Sequence, residues 1–593
     1  AANGVVLITT KKGKSSATRF SAKVSTGAAT VTRFMDLMNT DQYLSMRREA
    51  FANDGINPIP SYAYDVNGTW DQNRYTDWQK ELLGGTADIT DMNASISGGS
   101  AQTQFLFSGN FNKQGTVLQG DFRYRKGNFH LNVNHESENK KFKININAGY
   151  TAQDNNQPRI DLMRETFSIA PNAPALYNAD GSLNWENNTF NNPLRNLTGK
   201  YKSLTNDLIA NALISYELVD NLVLQSNFGF TSLNNNENTT NPSTRYNPAY
   251  GLGPEYSSLT AGDLKRKSWI IEPQLNWNKS FGQHNLNILA GGTFQSQRTN
   301  QLVQYASGFT SNSLISNIGS ATSVSTLLSD ETVYKYQAFY TRLNYNYREK
   351  YILNLTGRRD GSSRFGPDRQ FANFGAVGTA WIFSKENLFK DNSVISFGKL
   401  RASYGTTGSD QIGDYQYIDS YTAGIKYGGV TGLQPSRLFN PYFSWETNKK
   451  LEAAIETGLF GDRIFLTASF YDNRSSNQLT GIPMPGTTGF TSIQSNLNAV
   501  VQNKGAEFTL RTVNIQKGSW SWVSNFNLTF AKTKLLEFPN LENSTYANTF
   551  VIGQPLNIKK VYHYTGVDAQ TGVYKFEDVN NDGLITPLED KKT

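Results

Sequence analysis

The sequence predicts an all-β fold, a large antiparallel barrel of the kind that crosses a membrane with strands. Three observations predict it. Segments alternating apolar and polar residues recur along the whole 593-residue chain, the connectors between them alternate short and long, and no apolar run approaches the length of a membrane-crossing helix. The clearest segment is 141–150, KFKININAGY: Phe142, Ile144, Ile146, Ala148 and Tyr150 point one way, and Lys143, Asn145 and Asn147 the other. A soluble sheet shows the same dyad, but it has no need to repeat it at roughly 9 to 13 residues per strand, the length that crosses a tilted bilayer.

Taken in order, the period-two pattern places strands near 18–27, 91–98, 103–112, 123–135, 140–153, 206–217, 221–233, 267–278, 284–298, 333–347, 350–360, 371–383, 396–405, 446–459, 463–473, 499–513 and 519–533. Every second connection is tight: 98–103, 135–140, 218–221, 279–284, 347–350, 460–463 and 514–519. The intervening ones are mostly long, notably 28–90, 154–205, 234–266, 299–332, 406–445, 474–498 and 534 onward. Antiparallel neighbours swap ends, so tight turns gather on one rim and long loops on the other, the asymmetry of an outer-membrane barrel. The medium connector 384–395 on the short side is the exception. Seventeen strands is an odd count that closes no bacterial single-chain barrel, and plugged transporters have about 22. The expectation is an incomplete barrel with further strands beyond Thr593. Two stretches read as small loop helices, 34–52 with Asn39 or Thr40 as cap and 160–169 ahead of the prolines Pro171 and Pro174.

Composition removes other classes. The net charge of +7 comes from 56 basic and 49 acidic residues spread along the chain, with no basic stripe, so nucleic acid is not an expected partner. There are 0 cysteines, hence no disulfides, thiolate metal sites or cysteine nucleophiles. Aromatic residues make up 12%, a load that suits interfacial girdles and ligand-facing loops. The chain opens inside an apolar strand at Ala1 with no charged leader, which reads as a fragment. Enzyme signatures fail. Gly13-Lys14-Ser15 ends like a phosphate loop, but Ile8 stands where its first Gly is needed; His130, His135, His284 and His563 lack HExxH spacing; and no G-x-S-x-G elbow occurs.

The sharpest local motif is at 578–589. Asp578, Asn580 and Asp582 fit the side-chain donor positions of a twelve-residue EF-hand loop, Gly583 its sharp turn, Leu584 its carbonyl donor, Thr586 its water-mediated position and Glu589 its bidentate carboxylate. Calcium is therefore a possible cofactor. Pro587 interrupts the usual helix entry, and an Asx-rich turn without metal is the competing reading. At 358–366, Arg358, Arg359, Arg364 and Asp360 surround an outward turn, either to meet an acidic ligand or, as commoner chemistry, to brace the barrel wall. Trp185, Tyr246, Tyr250 and Tyr256 have faces suited to sugar rings, though loop packing accounts for them equally well.

Several segments carry a family resemblance. AANGVVLITTKKGK (1–14) resembles the end of the plug domain of a TonB-dependent receptor, where a last plug strand leads through a basic hinge into the first barrel strand. TDWQKEL (76–82), SISGGS (95–100), NYREKYILNLTGRRDGSSRFG (346–366), KLRASYGTTGS (399–409), PGTTGF (485–490), VQNKGAEFTL (501–510) and DVNNDG (578–583) follow in the order of its SusC/RagA-like branch. The resemblance implies two parts, plug end and hinge at 1–14 and transmembrane barrel at 15–593. It also implies an outer-membrane importer of an oligosaccharide or peptide, a SusD-like lipoprotein over the outer mouth, and energy from the TonB complex through a segment ahead of Ala1. Outer-membrane lipid would surround the wall, and no enzymatic activity is implied. A TonB-dependent siderophore or vitamin receptor is the close alternative; a passive porin or adhesin is the distant one.

Overall fold

The computed structural model describes residues 12–389, 392–587 and 589–592. The plug-like stretch 1–14 lies outside the described residues up to position 11. Helices are few and short, and one antiparallel sheet of 17 strands dominates. Its strands are β1 Ser16–Ala29, β2 Ala87–Gly99, β3 Thr103–Gly115, β4 Arg123–Glu136, β5 Phe142–Pro158, β6 Lys200–Val219, β7 Leu222–Asn241, β8 Ser258–Phe281 and β9 His284–Phe309. They continue as β10 Ala321–Tyr347, β11 Tyr351–Ser362, β12 Phe371–Trp381, β13 Ile395–Ser409, β16 Glu446–Leu459, β17 Ile464–Ser476, β20 Val500–Lys517 and β21 Trp520–Glu537. The hairpins β14–β15 (Ser420–Tyr427, Val430–Arg437) and β18–β19 (Gln478–Pro483, Ser492–Leu497) stand apart from the wall.

Each wall strand pairs with the next one in the chain, from β1–β2 through to β20–β21. Among the described residues β1 and β21 do not pair with each other, so the sheet is an open meander and not a closed barrel. All 17 expected strands are present. What differs is their length: β6, β8, β9 and β10 run to 20, 24, 26 and 27 residues, and the connectors expected at 234–266 and 299–332 shrink accordingly. The reason is physical. In these extensions the period-two alternation lapses, with a register shift between Thr326 and Leu328 in β10, while the hydrogen bonds of the ladder continue.

The tight rim uses left-handed turn residues: the two-residue turns between β6 and β7 and between β8 and β9 hold Asn221 at φ 67° and Gly282 at φ 61°. The exceptional medium connector is clamped there by Glu386, which accepts from Lys350 Nζ at 2.9 Å, Tyr351 Oη at 2.7 Å and Trp381 Nε1 at 3.2 Å. These donors hold its carboxyl down to about 2. Tyr351, Trp381, Phe281 and Trp520 are exposed along this rim, as the expected aromatic girdle requires.

The two faces differ in chemistry. On β16, Leu451 and Ile455 are exposed, beside Leu400 and Tyr404 of β13. The alternate residues, Glu452 and Glu456, instead meet Lys399 and Arg401 from β13, with Lys399 Nζ and Arg401 Nε at 3.2 and 3.0 Å from Glu456 Oε1. On β4 and β5 the polar face closes a ring of four amides. Asn134 donates to Asn132 at 2.7 Å, Asn132 to Asn147 at 2.6 Å, Asn147 to Asn145, and Asn145 back to Asn134. Ile146 and Tyr150 stand exposed on the reverse, as the dyad requires. One face of the wall is thus wet and paired, the other apolar and bare.

The long-loop rim carries its own cores. Helix α1, Thr40–Asn53, starts at Asn39, whose side chain accepts from Gln42 N while Gln42 Oε1 accepts from Asn39 N, both at 3.0 Å. The helix expected from 34 begins only here, because Met35 bonds through both backbone groups to Gln79 of helix α2, Trp78–Leu83. Helix α3 spans Met163–Ser168, inside the expected 160–169, and α4 spans Arg195–Thr198. Trp78, Leu82, Leu162, Ala173, Leu176, Phe190 and Leu194 form one buried cluster that joins the connection after β1 to the connection after β5.

In the first connection Asp65 is 8% exposed and accepts from Tyr43 Oη and Arg47 Nε, both at 2.8 Å. Burial opposes its charge, but these donors outweigh burial and leave its carboxyl below the ordinary 3.8, while the Tyr43 phenol is pushed up to about 12 by burial and the carboxylate. A group with a depressed folded pKa stabilises above its ordinary value and loses that contribution as pH falls through the folded one. We therefore expect Asp65→Asn to loosen this connection by roughly 1–3 kcal/mol near neutral pH, and by progressively less in acid below 3.8. Limited proteolysis across pH 7 to 3 measures it; a difference that grows on acidification contradicts it.

Candidate functional site

The wall and its loops bring three sets of residues together. The first lies on the wet face of β10–β13, a cavity of about 640 Å³ lined by Tyr336, Tyr340, Arg358, Asp360, Phe374 and Trp445 among others. Register assembles it: Tyr336 pairs with Ser362, Tyr340 with Arg358, and Arg358 with Phe374 across three strands. The guanidinium of Arg358 bonds to Asp360 and to Tyr336 Oη and lies 5.3 Å over the ring of Tyr340. Beside it Arg364 donates to Asp414 at 2.8 Å and to the Asp410 carbonyl at 3.0 Å, over Tyr334 at 4.2 Å. Tyr334 and Ser362 both donate to the Asp410 carboxylate, at 2.8 and 2.7 Å. Arg359 turns away, to Asn373 and over Phe371.

Each of the three arginines of segment 358–366 is therefore already partnered, and Phe365 below them is buried against Phe443 and Trp445. The segment braces the upper wall, leaving an aromatic and hydroxyl-lined hollow beside it. Trp445 and Tyr336 are invisible as site residues in the sequence, since they lie 109 positions apart and only the ladder brings them near.

The second set lies in the loops. A cleft of about 850 Å³ runs between the connection after β5 and the connection after β7, with Trp185 on one wall and Tyr246 on the other. Of the four loop aromatics, Tyr250 and Tyr256 do not line it and stand exposed.

The third set is the loop after the small strands β22 Val561–Tyr562, β23 Tyr564–Val567 and β24 Tyr574–Phe576, closed by β25 Lys591–Lys592. Here the structure brings Asn580, Asp582 and Glu589 together and folds Asp578 back onto the turn. Asp578 accepts from Asn581 N and Gly583 N, both at 2.7 Å, Asn580 Oδ1 from Asp582 N at 3.1 Å, and Asp582 Oδ1 from Leu584 N at 2.8 Å. Gly583 takes φ 85°, the turn its position requires. Asn580 Nδ2 sits between Asp582 Oδ2 at 3.0 Å and Glu589 Oε2 at 3.2 Å, and Thr586 Oγ1 donates to Glu589 at 3.3 Å. The amide thus lies between these two carboxylates. Buried Asp590, absent from the sequence reading, pins the loop by accepting from Val579 N and Thr586 N at 2.7 Å each. Among the described residues no group of three or more His, Cys, Asp or Glu side chains is placed to hold a metal ion, so Asp578, Asp582 and Glu589 are not gathered as one set of carboxylates.

Comparison with known proteins agrees with this architecture. The family model "TonB dependent receptor-like, beta-barrel" matches residues 159–567. TonB-dependent receptor P3 of Formosa agariphila is 30% identical over 91% of this chain and 53% of its own length. TonB-dependent receptor SusC of Bacteroides thetaiotaomicron is 25% identical over 92% of this chain and 56% of its own. The chain thus spans little more than half of these relatives. The structure of the RagAB peptide transporter superposes with a TM-score of 0.85, at 22% identity, over 97% of this chain and 68% of that one, a likeness of fold. With the family model covering more than half of its length, the chain belongs to the TonB-dependent receptor β-barrel family, a family of outer-membrane receptors and not of enzymes.

Proposed function

We propose that the whole protein imports a nutrient, an oligosaccharide or a peptide, across the outer membrane, with a SusD-like lipoprotein over its outer mouth. Residues 1–14 would be the end of a plug and its hinge, 15–593 the barrel wall, and the TonB complex would remodel the plug from the other side. The observation that carries this reading is the two-faced wall: exposed Leu451 and Ile455 back onto paired Glu452 and Glu456, and a hollow lined by Tyr336, Tyr340 and Trp445 opens on the wet side. Lipid suits the first face, a hydrated solute path the second.

Uptake by cells carrying the full-length receptor tests it. Labelled solute should accumulate with TonB present and fail to accumulate without it, and a SusD-like lipoprotein should co-purify in equal amount. Uptake that ignores TonB would favour a passive porin. Iron-repressed expression without a lipoprotein would favour a siderophore or vitamin receptor.

Loop 578–589 would hold one calcium ion. Asp578, Asn580, Asp582, Glu589 and the Leu584 carbonyl supply hard oxygen donors, once the Asn580 amide turns its oxygen inward. At an affinity on the order of 10⁻⁴ to 10⁻³ M the ion would fill such a site outside the cell. Millimolar calcium should slow protease cleavage within 560–592, and Asp578→Ala should remove the protection. An unchanged cleavage rate would leave the Asx turn as the whole explanation.

A further inference from the structure

We propose that the cleft between Trp185 and Tyr246 is an outer binding site for neutral oligosaccharide, which makes sugar, not peptide, the solute class of the importer described above and rests on that importer reading. The lining is nearly uncharged. Asn184, Asn187, Asn188 and Asn247 contribute primary amides, and among the lining residues Glu186 alone carries a charge at neutral pH, along a cleft of about 850 Å³. An amide offers both donor and acceptor groups at a spacing that serves neighbouring hydroxyls, whereas the C-terminal carboxylate of a peptide finds no cation among the lining residues. Aromatic faces supply the apolar surface on which a sugar ring rests its C–H groups.

The backbone is held in an unusual form to present these groups. Glu186, Asn187 and Asn188 take φ of 41°, 52° and 69°, three successive non-glycine residues in the left-handed region. Asparagine tolerates that region, but for glutamate it is uncommon, and a run of three costs free energy that the surroundings must offset. They do so on both sides. Asn184 Oδ1 accepts from Glu186 N at 2.8 Å, its Nδ2 donates to Glu186 Oε2 at 3.1 Å, and buried Asn247 donates from the opposite wall to Asn188 Oδ1 at 2.6 Å. The last bond fastens the two connections together across the cleft. Trp185 sits immediately before the strained run, so the turn sets where its ring faces. Trp70 Nε1 also donates to Thr189 Oγ1 at 2.9 Å, anchoring the far end of the run to the first connection.

The test uses the full-length receptor in detergent micelles, titrated calorimetrically with neutral glucan, mannan, galactan, xylan and fructan hexasaccharides and, separately, with a mixed hexapeptide library. At least one hexasaccharide should bind. Trp185→Ala should weaken it at least tenfold, Trp185→Phe should restore most of the loss, and Tyr246→Phe should stay within about twofold because it keeps the ring. Asn187→Asp, which adds a charge without changing shape, serves if Trp185→Ala fails to fold. Binding of peptides alone, of none of these hexasaccharides, or of a hexasaccharide with unchanged affinity in the Trp185 and Asn187 variants would overturn the proposal. The importer reading fails separately: sugar that binds through Trp185 yet enters cells without TonB keeps the site and removes the importer, and TonB-driven uptake of peptide does the reverse.

Discussion

Trp78→Ala is expected to release the two largest outer connections from each other, at a cost of about 3–5 kcal/mol, the range for truncating a buried aromatic residue. Trp78 is 4% exposed, leans on Phe190 with ring centroids 6.3 Å apart, and donates from Nε1 to the Ala170 carbonyl at 2.8 Å. Removing it opens a void among Leu82, Leu162 and Leu194 and strips the partner from that carbonyl. Because α2 is only six residues long, its helix has little stability beyond this packing. Hydrogen exchange should therefore rise across 30–86 and 159–199 while the ladders of β16 and β17 stay protected. Exchange that rises equally in the wall would mean that the loop core and the sheet unfold as one unit.

Ile455→Arg carries the second large effect. Ile455 lies near the middle of β16 on the exposed apolar face, paired with Leu400 and with Ala468. An arginine on the lipid side of a barrel costs about 2–4 kcal/mol at the bilayer midplane. Thr467, paired directly with Glu456 on the wet face, is the matched control, and Thr467→Arg should cost roughly 1 kcal/mol or less because a carboxylate and water meet it there. Urea unfolding of the full-length protein from lipid vesicles measures both. Equal costs would argue against the assignment of faces.

The wall was legible because period two is a strong signal wherever one face meets lipid and the other water. Phe142, Ile144 and Ile146 against Lys143, Asn145 and Asn147 specify both the strand and its register. The same logic explains the misses. Residues 258–266 and 321–332 stay in the ladder after the regular alternation ends, and a strand without that alternation is indistinguishable from loop by pattern. The helices α2 and α4, of six and four residues, are too short for a periodicity to register.

Sites were legible only where they are local. The 578–589 loop could be proposed donor by donor because its residues follow one another, and even there Asp590 escaped notice, since its role is to bond the backbone. The hollow beside Arg358 depends on pairings that span β10 to β13, and the Trp185 cleft on Asn247 reaching across 59 positions to Asn188. No spacing rule encodes such contacts. The Arg358–Arg364 segment did show its composition, and the partners that settle it as a brace, Asp410, Asp414 and Tyr336, come from the connection after β13 and from β10.

The most direct measurement exploits the 0 cysteines of this chain. Single cysteines placed in turn at 450–457 of β16, in the full-length protein in lipid vesicles, can be labelled with a spin probe and read with oxygen and a water-soluble nickel complex as competing relaxers. The two-faced wall predicts strict alternation, with oxygen dominating at Leu451, Ala453 and Ile455 and nickel at Glu452, Ala454 and Glu456. Flat profiles, or the opposite phase, would contradict it.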